Sequence, residues 1–327
     1  MKYSHIYIES QIREHFRTKE ILIKFPDAKI IQIENYKNIF NRPNQNFQAQ
    51  KSGARLILAK KIDQFYYPGS GLTDQFKIKN FYYNSLILNC VYNCDYCYLQ
   101  GMYNSGHTVV FVNLEDYFTQ TKELLNELKT VYLCISYDTD ILAFENLVPY
   151  TKEWIGFAKV NPDLLLEVRT KSNLFSRIQN LDPIPNVILA WTLSPEVIIK
   201  SYEKKTPTLN RRIENVVRAI NAGWKVRLCF DPILYIPNWE KIYSEFIEKV
   251  FQNKELSEIF DLSIGAFRIN SDYLKKIKKM RTDSDILYFP FERKGTARYY
   301  PEAIENKMLS LLEAKITKYI DRAKIYK

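Results

Sequence analysis

Residues 85–97 read Ser-Leu-Ile-Leu-Asn-Cys90-Val-Tyr-Asn-Cys94-Asp-Tyr-Cys97. A strand-length apolar run, Ser85 to Asn89, leads directly into three cysteines spaced C-x3-C-x2-C. Three thiolates on a short loop can each bind one iron of a cubane cluster. The fourth iron then lacks a protein ligand, whereas a purely electron-transferring cluster is normally closed by four cysteines. An open iron is what substrate chemistry needs, so Cys90, Cys94 and Cys97 are the predicted ligands of a [4Fe-4S] cluster. The alternative is structural zinc, which wants a fourth Cys or His at ligand spacing. His107 is the only nearby candidate, in a glycine-bearing loop. Cys134 and Cys229 lie on later predicted strands. Five cysteines, three of them crowded together, do not suggest a disulfide framework.

Past this loop, strand-length runs alternate with helical stretches. The strand candidates are Ser85 to Asn89, Val131 to Ser136, Leu164 to Thr170, Val187 to Leu193, Val226 to Phe230 and Leu262 to Phe267. Helices are predicted over Leu114 to Leu128, Leu147 to Lys159, Leu174 to Gln179, Arg211 to Ala222 and Trp239 to Phe251. In Arg211 to Ala222, Ile213, Val216, Val217 and Ile220 recur at helical spacing and Gly223 closes the end. Six such units imply a parallel sheet but are too few for an eight-fold barrel. The predicted fold is therefore α/β: a partial, open, TIM-like (β/α)6 barrel over residues 81–284. Ligands of such sheets sit at the carboxyl ends of the strands, where the cysteine loop lies.

Residues 1–80 mix strand-like runs (Ile6 to Ile8, Ile21 to Lys24, Lys29 to Ile33) with polar loops, and Asn41 to Gln50 reads as irregular. They are predicted to form an α/β extension packed on the barrel. Residues 285–327 read as a hairpin, Asp285 to Tyr300 with Gly295 at its turn. A helix, Pro301 to Asp321, and a short strand, Ala323 to Tyr326, follow.

Apolar types make up 46% of the 327 residues, enough for a sizeable core. No apolar run approaches the about 18 residues of a membrane span. The N-terminus lacks the basic start and apolar stretch of a signal peptide. A soluble, cytoplasmic monomer is expected. The formal net charge of +10 suits an anionic partner such as nucleic acid, or simply a lysine-rich solvated surface.

Beyond the cysteines, the chain resembles the spore photoproduct lyases, a family of radical S-adenosylmethionine (SAM) enzymes. The resemblance rests on Cys94-Asp-Tyr-Cys97-Tyr98-Leu99-Gln100, on Gln50-Lys51-Ser52 with Leu56-Ile57-Leu58, on Thr139-Asp140-Ile141 with Glu145-Asn146-Leu147, and on Val168-Arg169-Thr170-Lys171. It continues through Val197 to Glu203, Thr206, Arg212-Ile213-Glu214 and Ala222-Gly223. Asp231-Pro232-Ile233, Trp239-Glu240, Arg298-Tyr299 and Asp321 to Tyr326 complete it. These pieces span nearly the whole chain in order. They imply a [4Fe-4S] cluster whose open iron chelates SAM, a reducing electron donor, and damaged DNA as substrate. The implied reaction reverses the spore photoproduct thymine dimer through a 5'-deoxyadenosyl radical.

The resemblance further places Thr139, Lys171, Thr192 and Asp231 along the SAM pocket and Tyr96 near the adenine. An ammonium such as Lys171 at a strand end can pair with the SAM carboxylate; a solvated lysine is the alternative. Thr192 can equally be a core hydroxyl bonded to backbone, and Asp231 a turn former before Pro232. Arg268, Arg293, Lys294, Arg298 and Tyr299 interleave cations with aromatics, as phosphate contact and base stacking require; a solvated edge hairpin would look similar. The Lys275 to Arg281 run is read as a solvated helix face. One departure matters. The family's hydrogen-donor cysteine, three residues before the Asp of the motif, is here Tyr137. Tyr137 and Tyr98 are therefore candidate hydrogen donors, against ordinary packing in a chain with 24 tyrosines. Cys134 is expected on the opposite strand face, and Cys229 on the face of Asp231. The same scaffold acting on another substrate, or a DNA-binding iron–sulfur protein without lesion chemistry, are the competing readings.

Overall fold

The computed structural model describes residues 2–71, 76 and 78–327. At its centre is a curled sheet of six parallel strands: Phe81–Tyr83, Val131–Cys134, Leu164–Thr170, Val187–Thr192, Lys225–Ile233 and Asp261–Ala266. Sequence neighbours are also neighbours in the sheet. Ile325–Tyr326 joins the last strand in parallel, and Tyr67–Pro68 joins the first antiparallel. Both edges are thus covered by short strands, which leaves little unpaired backbone to template aggregation.

Alternation along each strand sorts the side chains. On Leu164–Thr170, Leu164, Leu166 and Val168 enter the main apolar core, while Leu165, Glu167 and Arg169 face the inside of the curl. The inner face is polar at its base. The Arg227 guanidinium reaches Asp261 Oδ2 at 2.7 Å, Glu167 Oε2 at 2.6 Å and the Tyr132 hydroxyl at 2.7 Å. It also lies 3.4 Å from the Phe76 ring centroid. A buried arginine is tolerated because carboxylates on the adjacent strand and on one two strands away satisfy it.

The first barrel strand differs from expectation. It is Phe81–Tyr83, too short to show a period in the sequence. The apolar stretch expected in its place supplies Ile87–Leu88 to a separate N-terminal sheet, antiparallel to Thr108–Phe111. That sheet runs Lys29–Ile33, His5–Glu9, Leu56–Ala59, Thr108–Phe111, Ile87–Leu88, so it draws strands from both sides of residue 80. Ile21 to Lys24 is not a strand. It ends helix Phe16–Ile23, where Ile21 is buried and Ile23 exposed, as helical rather than alternating geometry dictates. Helix Phe47–Ser52 begins inside the stretch read as irregular, capped by the Asn46 side chain.

Helices Leu114–Leu128 and Trp239–Phe251 match their expected bounds. The one expected from Leu147 starts after Pro149, at Tyr150, and Leu174 to Gln179 shrinks to the single turn Phe175–Arg177. Helix Glu196–Tyr202 was not anticipated. At the C-terminus, Glu292–Lys294 and Ala297–Tyr299 form the hairpin, with Gly295 at φ +62° in its turn. Helix Glu302–Ile316 follows and buries Met308, Leu312 and Ile316. No helix among the described residues is long and apolar enough to cross a membrane.

Candidate active site

A cavity of about 430 Å³ opens at the carboxyl ends of the barrel strands, and Cys90, Cys94 and Cys97 line one wall. The cysteine loop is held by backbone. Asn93–Cys94 pairs antiparallel with Glu203–Lys204, and the Asp95 N–H donates to the Tyr202 carbonyl at 2.7 Å. Gln100 donates from Nε2 to the Cys94 carbonyl at 2.8 Å. Arg281 is buried rather than solvated: it reaches Gln100 Oε1 at 2.9 Å, Asp95 Oδ1 at 2.8 Å and Asn93 Oδ1 at 2.6 Å.

The donor set suits a cubane cluster. Among the described residues the cavity wall carries these three cysteines and no further Cys or His, one ligand short of a closed structural zinc site. His107 lies off the cavity wall; its Nδ1 accepts from the Arg55 N–H at 3.3 Å. Burial pushes the Cys90 and Cys94 thiols up to about 12, only partly countered by Lys51 at Cys90 and Lys171 at Cys94. Positive charge from bound iron is what would make these buried sulfurs thiolates.

Tyr96, Thr139, Lys171, Thr192 and Asp231 all line the same cavity. Lys171 is not solvated. Its Nζ donates to the Tyr96 hydroxyl at 2.5 Å and to Glu203 Oε1 at 2.9 Å, and sits 3.9 Å from Cys94 Sγ. Tyr96 in turn donates to Glu203. Thr139 donates to the Asn89 carbonyl at 2.9 Å. Asp140 caps the next turn and accepts from Thr170 Oγ1 at 2.7 Å and the Lys171 N–H at 2.6 Å. Asp231 forms a two-pronged ion pair with Arg268, both contacts at 3.1 Å. Arg268, read from the sequence as a DNA contact, therefore lies on the cavity wall. Gly265 allows this approach: a Cβ there would lie 2.9 Å from Asp231 Cγ and 2.8 Å from Arg268 Nη1.

Tyr98 and Tyr137 are brought together at the other side. Tyr137 stacks on Tyr83 with centroids 4.0 Å apart, and the Tyr98 ring lies 6.3 Å from it. The Tyr98 hydroxyl donates to the Tyr137 carbonyl at 2.6 Å. Burial, then the Asp138 carboxyl, push the Tyr83 and Tyr98 phenols upward, so both stay protonated. Cys134 faces the barrel interior, against the expected opposite face, because the regular strand ends at Cys134 and the alternation does not reach Tyr137. Its sulfur lies 3.7 Å from Glu167. Cys229 is fully buried, and neither sulfur lines the cavity.

The hairpin is tied to this wall. Ala297–Tyr299 pairs with Arg268–Asn270, placing Arg298 opposite Ile269 and Tyr299 opposite Arg268. Arg293, Arg298, Lys275, Lys278 and Lys279 border a second hollow of about 770 Å³, and Asn270 lines both spaces. The lysine run thus shares a hollow with the hairpin. Lys294 is exposed beside the Tyr299 ring, 5.8 Å from its centroid.

A sequence model described as Spore photoproduct lyase matches residues 3–326. The chain belongs to the spore photoproduct lyase family. It is 23% identical over 339 residues to a spore photoproduct lyase of Bacillus subtilis (strain 168), covering 98% of this chain and 96% of that one. It is 24% identical over 224 residues to one from Clostridium acetobutylicum, covering 65% and 66%. Among solved structures, spore photoproduct lyase complexed with dinucleoside spore photoproduct superposes with a TM-score of 0.83 at 18% identity, over 99% of this chain and 97% of that one. A mutant of spore photoproduct lyase with bound AdoMet and dinucleoside spore photoproduct gives the same score, identity and coverage. The fold is that of these lyases.

Within the family framework, four charged residues at the site were quoted in the sequence but given no role: Lys51, Arg169, Glu203 and Arg212. Arg169 lines the cavity, and Glu203 joins Lys171 to Arg212 beneath it. Each falls in a stretch that carries the resemblance, which is the only signal that marks them.

Replacing Cys90, Cys94 and Cys97 together with Ala is expected to abolish both the about four irons per chain of a cubane and all SAM cleavage. Elemental analysis and electron paramagnetic resonance of the anaerobically reconstituted protein check this. Zinc in place of iron in the unsubstituted protein would overturn the cluster.

Proposed function

We propose that this protein is a radical SAM lyase that reverts the spore photoproduct to two thymines. One observation carries the reading: three sulfurs, a tyrosine stack and the strand that bears the basic hairpin all border one cavity. Solved lyases complexed with dinucleoside spore photoproduct support the substrate class. When bound, the cluster and SAM would supply a 5'-deoxyadenosyl radical, the hydrogen abstractor that opening the methylene bridge at the lesion's C6–H requires.

The chain's residues hold and finish the reaction. Lys171, Thr139, Thr192 and Asp231 offer charge and hydroxyls to SAM, and Tyr96 packs its ring beside them. Tyr137 returns a hydrogen atom to the thymine radical: its O–H bond breaks and a C–H bond forms on the methyl carbon. The phenoxyl radical left on a ring flanked by Tyr83 and Tyr98 then recovers a hydrogen atom from 5'-deoxyadenosine, which hands the radical back so that SAM can re-form. Outside, Arg293, Lys294 and Arg298 take phosphates and Tyr299 stacks on an unpaired base. A lesion inside a duplex must be flipped out, at a few kcal/mol, and the hairpin beside the cavity mouth suits a wedge. Tyr137 in the place of the family's cysteine favours a second reading, the same chemistry on a related lesion.

Reconstituted protein given SAM, a reductant and dinucleoside spore photoproduct is expected to release two thymidines. SAM cleavage without any thymidine would select the second reading. In the same assay Tyr137→Phe is expected to yield abortive adducts and to consume several-fold more SAM per repair, while Cys134→Ala and Cys229→Ala keep the product pattern. Abortive products from Cys229→Ala alone would make the cysteine the donor.

For the hairpin, Arg293→Ala with Arg298→Ala should weaken duplex binding and reduce the slope of log affinity against log salt by about 2. An unchanged slope would remove these residues from DNA contact.

A further inference from the structure

Lys51 lies on helix Phe47–Ser52, outside the barrel, and is only 8% exposed. Its helix is bolted against the segment after the cysteine loop. Gln50 Oε1 accepts from the Gly106 N–H at 2.8 Å and from Ser105 Oγ at 3.1 Å. A Cβ on Gly106 would sit 2.4 Å from the Phe47 carbonyl oxygen, so the two segments touch through backbone. The Asn89 side chain fastens the other side, donating to the Ser105 and His107 carbonyls at 2.8 and 2.6 Å. From this fixed platform the Lys51 ammonium donates to the carbonyl of Cys90.

Three cations act electrostatically on Cys97: Lys51, Lys171 and Arg281. Two of them have carboxylate partners, Glu203 for Lys171 and Asp95 for Arg281. Lys51 has none among the described residues. Burying an ammonium against one neutral carbonyl is unfavourable unless a negative charge lies near. Burial, and less so the neighbouring Lys205, disfavour its charge, while the sulfurs of Cys90, Cys97 and Cys94 favour it.

We propose that Lys51 is the counter-charge of the iron–sulfur cluster and raises its reduction potential. This rests on the cluster reading given above. Three thiolates on a [4Fe-4S]2+ core give a net charge of about −1, which becomes about −2 when an external one-electron reductant adds its electron. A nearby ammonium favours the more negative state, and strongly so where water is excluded. Net charge and hydrogen bonding around the sulfurs are the levers by which a protein sets such potentials. Lys171 and Arg281 contribute less, because Glu203 and Asp95 offset them. Lys51 is a positioning residue in this sense: it touches neither SAM nor lesion.

The test is a redox titration of the reconstituted full chain, followed by electron paramagnetic resonance of the reduced cluster. Lys51→Gln keeps a donor for the Cys90 carbonyl and removes the charge. It is expected to retain its iron and to lower the equilibrium constant for reduction tenfold or more, a shift of about 59 mV to more negative potential. Lys51→Arg should titrate close to the unsubstituted protein. Should Lys51→Gln fail to assemble a cluster while Lys51→Arg succeeds, the requirement is again for charge, and the proposal stands. A fully loaded Lys51→Gln at the original potential, or failure of both variants to load, would make Lys51 a structural clamp and overturn it. Absence of any cluster signal in the unsubstituted protein would instead defeat the cluster reading itself.

Discussion

Glu203 is buried where the cysteine loop, two barrel strands and a helix meet. Its carboxylate accepts from Lys171 after the third barrel strand, from Ser194 after the fourth, from Arg212 on helix Leu209–Asn221, and from Tyr96 within the cysteine loop. Its backbone pairs with Cys94. Burial alone would raise this carboxyl, but Lys171 and Arg212 overcome it and hold it well below the usual carboxylate range. Removing one member of such a buried set typically costs about 3–5 kcal/mol, because the remaining charges are left unpaired. The position of the sulfurs relative to the barrel therefore depends in part on a carboxylate that is itself absent from the cavity wall.

The same logic of enclosed, paired charge runs through the cavity. Asp231 on the fifth barrel strand pairs with Arg268 just past the sixth, and Gly265 gives them room. Deeper, Arg227, Glu167 and Asp261 satisfy one another. These pairs furnish a polar lining held by ion pairs. For radical chemistry the arrangement of hydrogen donors matters as much. The reactive-looking sulfurs of Cys134 and Cys229 are kept off the wall, whereas the Tyr137 and Tyr98 rings are on it. Access to the cavity is therefore open to these two phenols and not to these two thiols.

Much of this was legible in the sequence. The C-x3-C-x2-C loop and five of the six expected strands pointed to the cluster and the barrel, because metal-ligand spacing and apolar runs are local signals. Phe81–Tyr83 escaped notice, since three residues carry no period, and Leu86 to Leu88 looked like a barrel strand because both sheets bury apolar runs alike. Lys171 and Asp231 were found through resemblance, but Glu203 was quoted without a role and Arg268 was read as a DNA contact rather than as the partner of Asp231. A carboxylate at a helix end reads the same whether solvated or buried, and only the fold brings Glu203 to Lys171 across 32 positions. Arg281 fails for the same reason: its lysine-rich neighbours look solvated, and its own ion pair spans 186 positions.

The most direct test is SAM affinity in the reconstituted Glu203→Gln variant, measured by equilibrium binding alongside iron content. Glu203 lies outside the cavity, so any effect must pass through Lys171, Tyr96 and the cysteine loop. The expected result is affinity weakened tenfold or more, about 1.4 kcal/mol, with the overall fold retained. SAM binding as tight as in the unsubstituted protein, with a full cluster, would contradict the dependence of the site on this carboxylate.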